Sequence, residues 1–95
     1  MAHQPTPLLT ILRRRQVESV TGYSRSTIYL RISQGLFVRP VTLGARAVGF
    51  PAAEVAALNA ARIAGRSEQH IRALVIELES ARIHADRATT RDAGE

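Results

Sequence analysis

Arg25, Ser26, Thr27 and Tyr29 crowd into five consecutive positions of the string Ser24-Arg25-Ser26-Thr27-Ile28-Tyr29. A guanidinium, two hydroxyls and a phenol this close together can bond both phosphate oxygens and base edges. Ser24 can open a helix at this point, its hydroxyl accepting an orphan N–H, a cap contributing about 1 kcal/mol. Leu30 follows as an apolar contact suited to a thymine methyl. Around this string lie further groups able to meet a phosphate backbone: Arg13-Arg14-Arg15, Tyr23, Arg31, Arg39 and Arg46. The chemistry these residues point to is recognition of a polyanion.

Reaction chemistry finds no comparable support. The chain has no cysteine, which removes both disulfides and thiolate metal ligands. His3, His70 and His84 form no metal-ligand spacing, and no glycine-rich phosphate loop is present. Glu77 and Glu79 leave one helix in different directions, and no nucleophile is paired with a base. The expectation is a protein that is not an enzyme, without metal, cofactor or small-molecule substrate.

Charge is distributed unevenly. The net charge of +5 comes from thirteen arginines, no lysine and eight acids. Residues 1–50 carry seven arginines and one acid, Glu18, for +6; residues 51–95 carry six arginines and seven acids, for −1. The positive field therefore sits on the half that holds the Arg25 string, and a nucleic acid is the natural partner.

The elements that must position these groups follow from local signals. A short helix over about Arg15 to Val20, with Val17 and Val20 inward, is broken by Gly22. A second helix runs from Arg25 to Gln34 and stops at Gly35, with Ile28 and Ile32 on its inner face. Ser26, Tyr29, Leu30 and Ser33 face largely the other way. Two short helices joined by a glycine turn make a helix-turn-helix, the second helix being the recognition helix. Before it, Leu8 to Leu12 form an apolar, extended segment that covers the core. After it, Val41-Thr42-Leu43 and Val48-Gly49-Phe50 alternate with period two around a glycine-led loop. That pattern predicts a β-hairpin with Val41, Leu43, Val48 and Phe50 inward and Arg46 near its tip. A hairpin placed directly after a recognition helix is a wing.

Pro51 opens a third helix over about Ala52 to Ala64, with Val55 and Leu58 in the core and Gly65 as its stop. Ser67 caps a fourth, running from Glu68 to about Arg87. Ile71, Leu74, Leu78, Ala81, Ala85 and Ala88 are spaced 3-4-3-4-3, a heptad seam. The seam predicts a homodimer through Ile71, Leu74, Leu78 and Ala81, with Val75, Ile76 and Ile83 off it; the alternative is packing on its own domain. The resulting organisation is a lead over 1–8, a DNA-binding domain over 9–66, a C-terminal helix over 67–88 and a disordered tail over 89–95. Overall the chain is mainly α with a small β-hairpin. No apolar run approaches the roughly 20 residues that span a bilayer, so a soluble, cytoplasmic protein is expected.

Residues 11–66 resemble the AlpA family of prophage-type transcriptional regulators, within the MerR/excisionase-like winged-helix group. The likeness rests on Gly22-Tyr23-Ser24-Arg25-Ser26-Thr27-Ile28-Tyr29, Gly35, Pro40-Val41, Leu43-Gly44, Arg46-Ala47-Val48-Gly49 and Arg62-Ile63. It implies a winged helix-turn-helix protein that binds double-stranded DNA, with Arg25, Ser26, Thr27 and Tyr29 at the major groove and Arg46 on the wing. Phe50 and Leu58 stand where the family often has Trp. Leu30-Arg31 reverses the family's more familiar order, which leaves open which of the two faces DNA. Three functions are compatible. The first is a sequence-specific transcriptional regulator, with RNA polymerase as a further partner. The second is an excisionase-like architectural protein that bends DNA for a recombinase. The third is an adaptor that binds another protein through the fourth helix.

Overall fold

Gly22 adopts a left-handed conformation (φ 79°) between the first two helices, which only glycine takes without strain. Helix α1 (Arg14–Thr21) ends there, with the Gly22 N–H donating to Glu18 O at 2.9 Å. Three residues later α2 (Arg25–Ser33) begins, capped by Ser24, whose Oγ accepts the Thr27 N–H at 3.2 Å. The two helices and the turn between them are the helix-turn-helix expected from the local signals. The computed structural model describes residues 9–86. The lead over 1–8, the tail over 89–95, and Arg87 and Ala88 at the expected end of the fourth helix lie outside the described residues.

The hairpin is present as β2 (Val41–Thr42) and β3 (Val48–Pro51), antiparallel with Val41 opposite Gly49 and Thr42 opposite Val48. A third strand joins it. The apolar segment near the N-terminus pairs as β1 (Ile11–Leu12) with the other edge of β3, Ile11 opposite Pro51 and Leu12 opposite Phe50. Gly49 is required where these strands meet, since a Cβ there would overlap Ile11 Cγ2 and crowd Leu43 Cδ1.

Helix α3 (Ala52–Ile63) follows β3 without a gap, and α4 (Glu68–Ala81) follows with Ser67 as its cap. The Ser67 Oγ accepts the His70 N–H at 3.1 Å. Helix α4 tightens into a 3₁₀ turn over Arg82–His84, and Ala85 and Asp86 after it are helical again. Among the described residues no helix is long and apolar enough to cross a membrane.

The core draws on every layer. Val17, Ile28, Phe37, Val38, Phe50, Val55 and Leu58 are essentially inaccessible. Phe37 is its hub, meeting the Tyr23 ring edge-on at 6.2 Å and the Phe50 ring at 5.9 Å. Leu36-Phe37-Val38 lies outside any helix or strand yet is wholly buried.

Three inward expectations are corrected. Val20 is 53% exposed, because Thr21 rather than Val20 shares the buried stripe with Val17, four residues apart. Leu43 and Val48 are exposed as well, because the hairpin runs past the edge of the core. On α4, Val75 is 5% exposed instead of lying off the packed face. Ile71 and Val75 are buried with Leu74 and Leu78 flanking them, the broad stripe of an amphipathic helix packed on its own domain.

Candidate nucleic-acid interface

The exposed face of α2 is built from its own periodicity. With Ile28 sealed in the core, Ser26, Tyr29 and Leu30 emerge together on the opposite side. No element among the described residues covers them. The Ser24 and Thr27 hydroxyls are partly committed to each other, 3.0 Å apart at the cap. Ser26 is exposed with its Oγ 3.3 Å from Ser24 Oγ, and Arg25 is the exposed guanidinium of the first turn.

Arg13, Arg14, Arg15, Arg25, Tyr29, Arg46 and Val48 line one open cleft of about 350 Å³. Its walls come from the start of α1, the outer face of α2 and the hairpin loop. Residues 33 positions apart, Arg13 and Arg46, thus meet across it. A shallow depression adjoins it, lined by Arg14, Arg15, Glu18, Ser19, Gly22, Tyr23, Ser24 and Arg25. The shared arginines make the two one continuous basic track, from the hairpin loop across the N-terminus of α2 to the helix-turn-helix turn. Arg14 is ion-paired with Glu18 one turn along its helix. Arg13, Arg15, Arg25 and Arg46 have no carboxylate within ion-pair distance among the described residues. A cluster of unpaired guanidiniums beside a helix N-terminus suits a polyanionic backbone.

Not every candidate residue belongs to this track. Leu30 stands 54% exposed on the α2 face, whereas Arg31 folds back over the Tyr23 ring at 5.8 Å from its centroid. Arg62 sits 4.3 Å from the same ring centroid, so Tyr23 packs between Phe37 and two guanidiniums. Arg39 lies elsewhere, bound to Glu79 of α4 at 2.9 Å. Of the four residues assigned to self-association, Ile71 is in the core, Leu74 and Leu78 pack against it, and Ala81 is exposed.

Two groups were missed by reasoning along the chain. Asn59 Nδ2 donates to Val20 O at 2.9 Å and Arg62 Nη1 to Thr21 O at 3.3 Å. These bonds satisfy carbonyls at the end of α1 and brace the turn from behind. Their spacing of three on α3 is the only trace in the sequence. The second group is a charged network on the far side. Arg82 forks onto Glu54 at 2.6 and 2.9 Å, and Glu79 takes two bonds from Arg39. Glu54 raises the Arg82 pKa by hydrogen bonding, against the opposing effect of burial. Burial acts to raise Glu79, but the Arg39 backbone N–H and guanidinium outweigh it and hold the carboxyl below its ordinary value.

Fold and cleft together define a winged helix-turn-helix protein, with a three-stranded sheet and an added C-terminal helix. The chain belongs to the family of the prophage CP4-57 regulatory protein (AlpA), whose model matches residues 10–62. That family is one of regulatory DNA-binding proteins. A relative is the uncharacterized protein ORF88 of Enterobacteria phage P4, 45% identical over 65 residues, 65% of this chain and 74% of that one. No solved structure matches the chain.

Proposed function

We propose that this protein is a sequence-specific regulator of transcription that sets α2 into the major groove of duplex DNA. The β2–β3 hairpin then acts as a wing, with Arg46 on the adjacent minor groove or backbone. The observation that carries this reading is the convergence of Arg13, Arg14, Arg15, Arg25 and Arg46 on one open cleft beside an uncovered helix face. Arg25, Ser26, Tyr29 and Leu30 are the groups offered to base edges, Leu30 to a thymine methyl and Arg25 to guanine. Arg13 and Arg15 hold the phosphates on either side.

Selecting bound duplexes from a random pool tests it. A defined operator should emerge, and Arg25→Ala should relax preference at one base pair at a cost of about 1–3 kcal/mol. An enriched pool with no common sequence would sink the sequence-specific reading. Gel shifts on the selected duplex then separate the two DNA-binding tasks. A single discrete complex fits a regulator; a cooperative ladder on several adjacent sites, with bending, fits the excisionase-like alternative.

A further inference from the structure

Strand β3 of the wing is anchored by β1 on its other edge and by Phe50 in the core, but β2 is an edge strand held in the sheet by β3 alone. Its ladder consists of two residue pairs and one further bond across the loop, Leu43 N–H to Ala47 O at 2.7 Å. A two-stranded hairpin of this size is marginal alone. Its root, however, is gripped from outside. Arg39, two residues before β2, has both its backbone N–H and its carbonyl taken by side chains, one from the end of α4 and one from the 3₁₀ turn after it. The Arg39 N–H donates to Glu79 Oε2 at 2.8 Å, and Arg82 Nη2 donates to Arg39 O at 2.7 Å. Pro40, with its fixed φ, passes that position directly into β2. Arg82 also forks onto Glu54, a buried carboxylate in the first turn of α3. Helix α3 begins at the residue after β3. The network Glu79–Arg39–Arg82–Glu54 therefore closes the open end of the hairpin, joining the chain that enters it to the chain that leaves it.

We propose that Glu79 and Arg82 are positioning residues for the wing, setting where Arg46 lies when DNA binds. This rests on the reading of Arg46 as a DNA contact. Both residues lie beyond the stretch the family model matches, residues 10–62. Helix α4 thus adds to the shared domain a brace whose effect is felt at the far end of the hairpin. Neither residue lines the cleft, so their influence on DNA passes through the backbone of Arg39.

The test is a double-mutant cycle on the full chain, using the duplex selected from the random pool and fluorescence anisotropy at one salt concentration. Glu79→Gln, Arg46→Ala, Arg25→Ala and the two double variants with Glu79→Gln are compared, each checked for cooperative melting. Glu79→Gln is expected to weaken binding about 3- to 10-fold in the parent and in the Arg25→Ala background. In the Arg46→Ala background it is expected to do little more, because the group it positions is gone. Hydroxyl-radical footprints should lose protection at the wing flank and keep it under α2. Should Glu79→Gln fail to fold, Arg82→Lys takes its place, since an ammonium cannot fork onto Glu54 and reach Arg39 O together. Equal losses with and without Arg46 would overturn the positioning role alone. An Arg46→Ala protein that binds as tightly as the parent would instead remove the wing contact on which it rests.

Discussion

On the cleft side, Arg13, Arg15, Arg25 and Arg46 face solvent with no acid in reach among the described residues, whereas on the α4 side Arg39, Arg72 and Arg82 each have a carboxylate. The residue type is the same and its physical task is opposite. A guanidinium that forks onto a carboxylate has exchanged its water for a fixed partner and holds two elements together. Guanidiniums gathered without partners repel one another in the free protein and are relieved when a polyanion arrives. Glu54 and Glu79 are placed so that the α4 arginines are neutralised, which leaves the cleft as the concentrated positive field.

The contrast can be broken by exchanging the consequences of mutation between the two sides. The largest effect is expected from Glu54→Ala, which leaves Arg82 half-buried without its fork. It should cost about 2–3 kcal/mol, less than a fully buried pair, in urea unfolding followed by circular dichroism. A midpoint within error of the parent would show that the network is ornamental. Next come Arg13→Ala and Arg15→Ala. Each should lower the slope of log affinity against log salt by about 0.9 with little change in melting temperature. An unaltered slope would take both off the phosphate backbone.

Arg39→Ala should do the reverse. Its side chain is 73% exposed, so losing the pair with Glu79 should cost at most about 1 kcal/mol of stability. The salt slope should stay at the parent value, and a clear decrease would return Arg39 to the DNA contacts. Acid unfolding probes the same partner. The folded pKa of Glu79 is lowered from 4.5, so its contribution is present above that value and is lost as pH falls through the folded one. Glu79→Gln should therefore unfold with a shallower dependence on pH below 4.5, and parallel curves would contradict the assignment. The smallest effect is expected for Glu68→Ala, whose 3.8 Å pair with Arg72 is exposed on one helix. A loss of about 0.3–0.5 kcal/mol is anticipated there.

Legibility along the chain followed the range of the interactions. The Ser24 and Ser67 caps, the Gly22 turn and the β2–β3 hairpin each act within a few residues, and each appears where the sequence places it. The third strand was legible only as an apolar extended segment, because β1 pairs with a partner nearly forty residues away. Phe37 offered no periodicity at all, being in an irregular stretch, and its place as hub of the core depends on Tyr23 and Phe50 reaching it. The α4 seam left its covering open. Heptad spacing specifies a narrow apolar stripe but not what covers it; Ile71 and the off-seam Val75 are buried in the chain's own core, with Leu74 and Leu78 partly buried against it and Ala81 exposed.

Composition and local pattern by themselves determined the helix-turn-helix, the hairpin after it, and an excess of positive charge on the half that contains both. Tertiary structure alone decided which arginines stay free and which are consumed. The bonds that make the difference join residues 28 to 43 positions apart, such as Glu54 to Arg82 and Arg82 to Arg39. A guanidinium's partner is chosen by what packing brings within about 3 Å of it, and no nearest-neighbour signal carries that information.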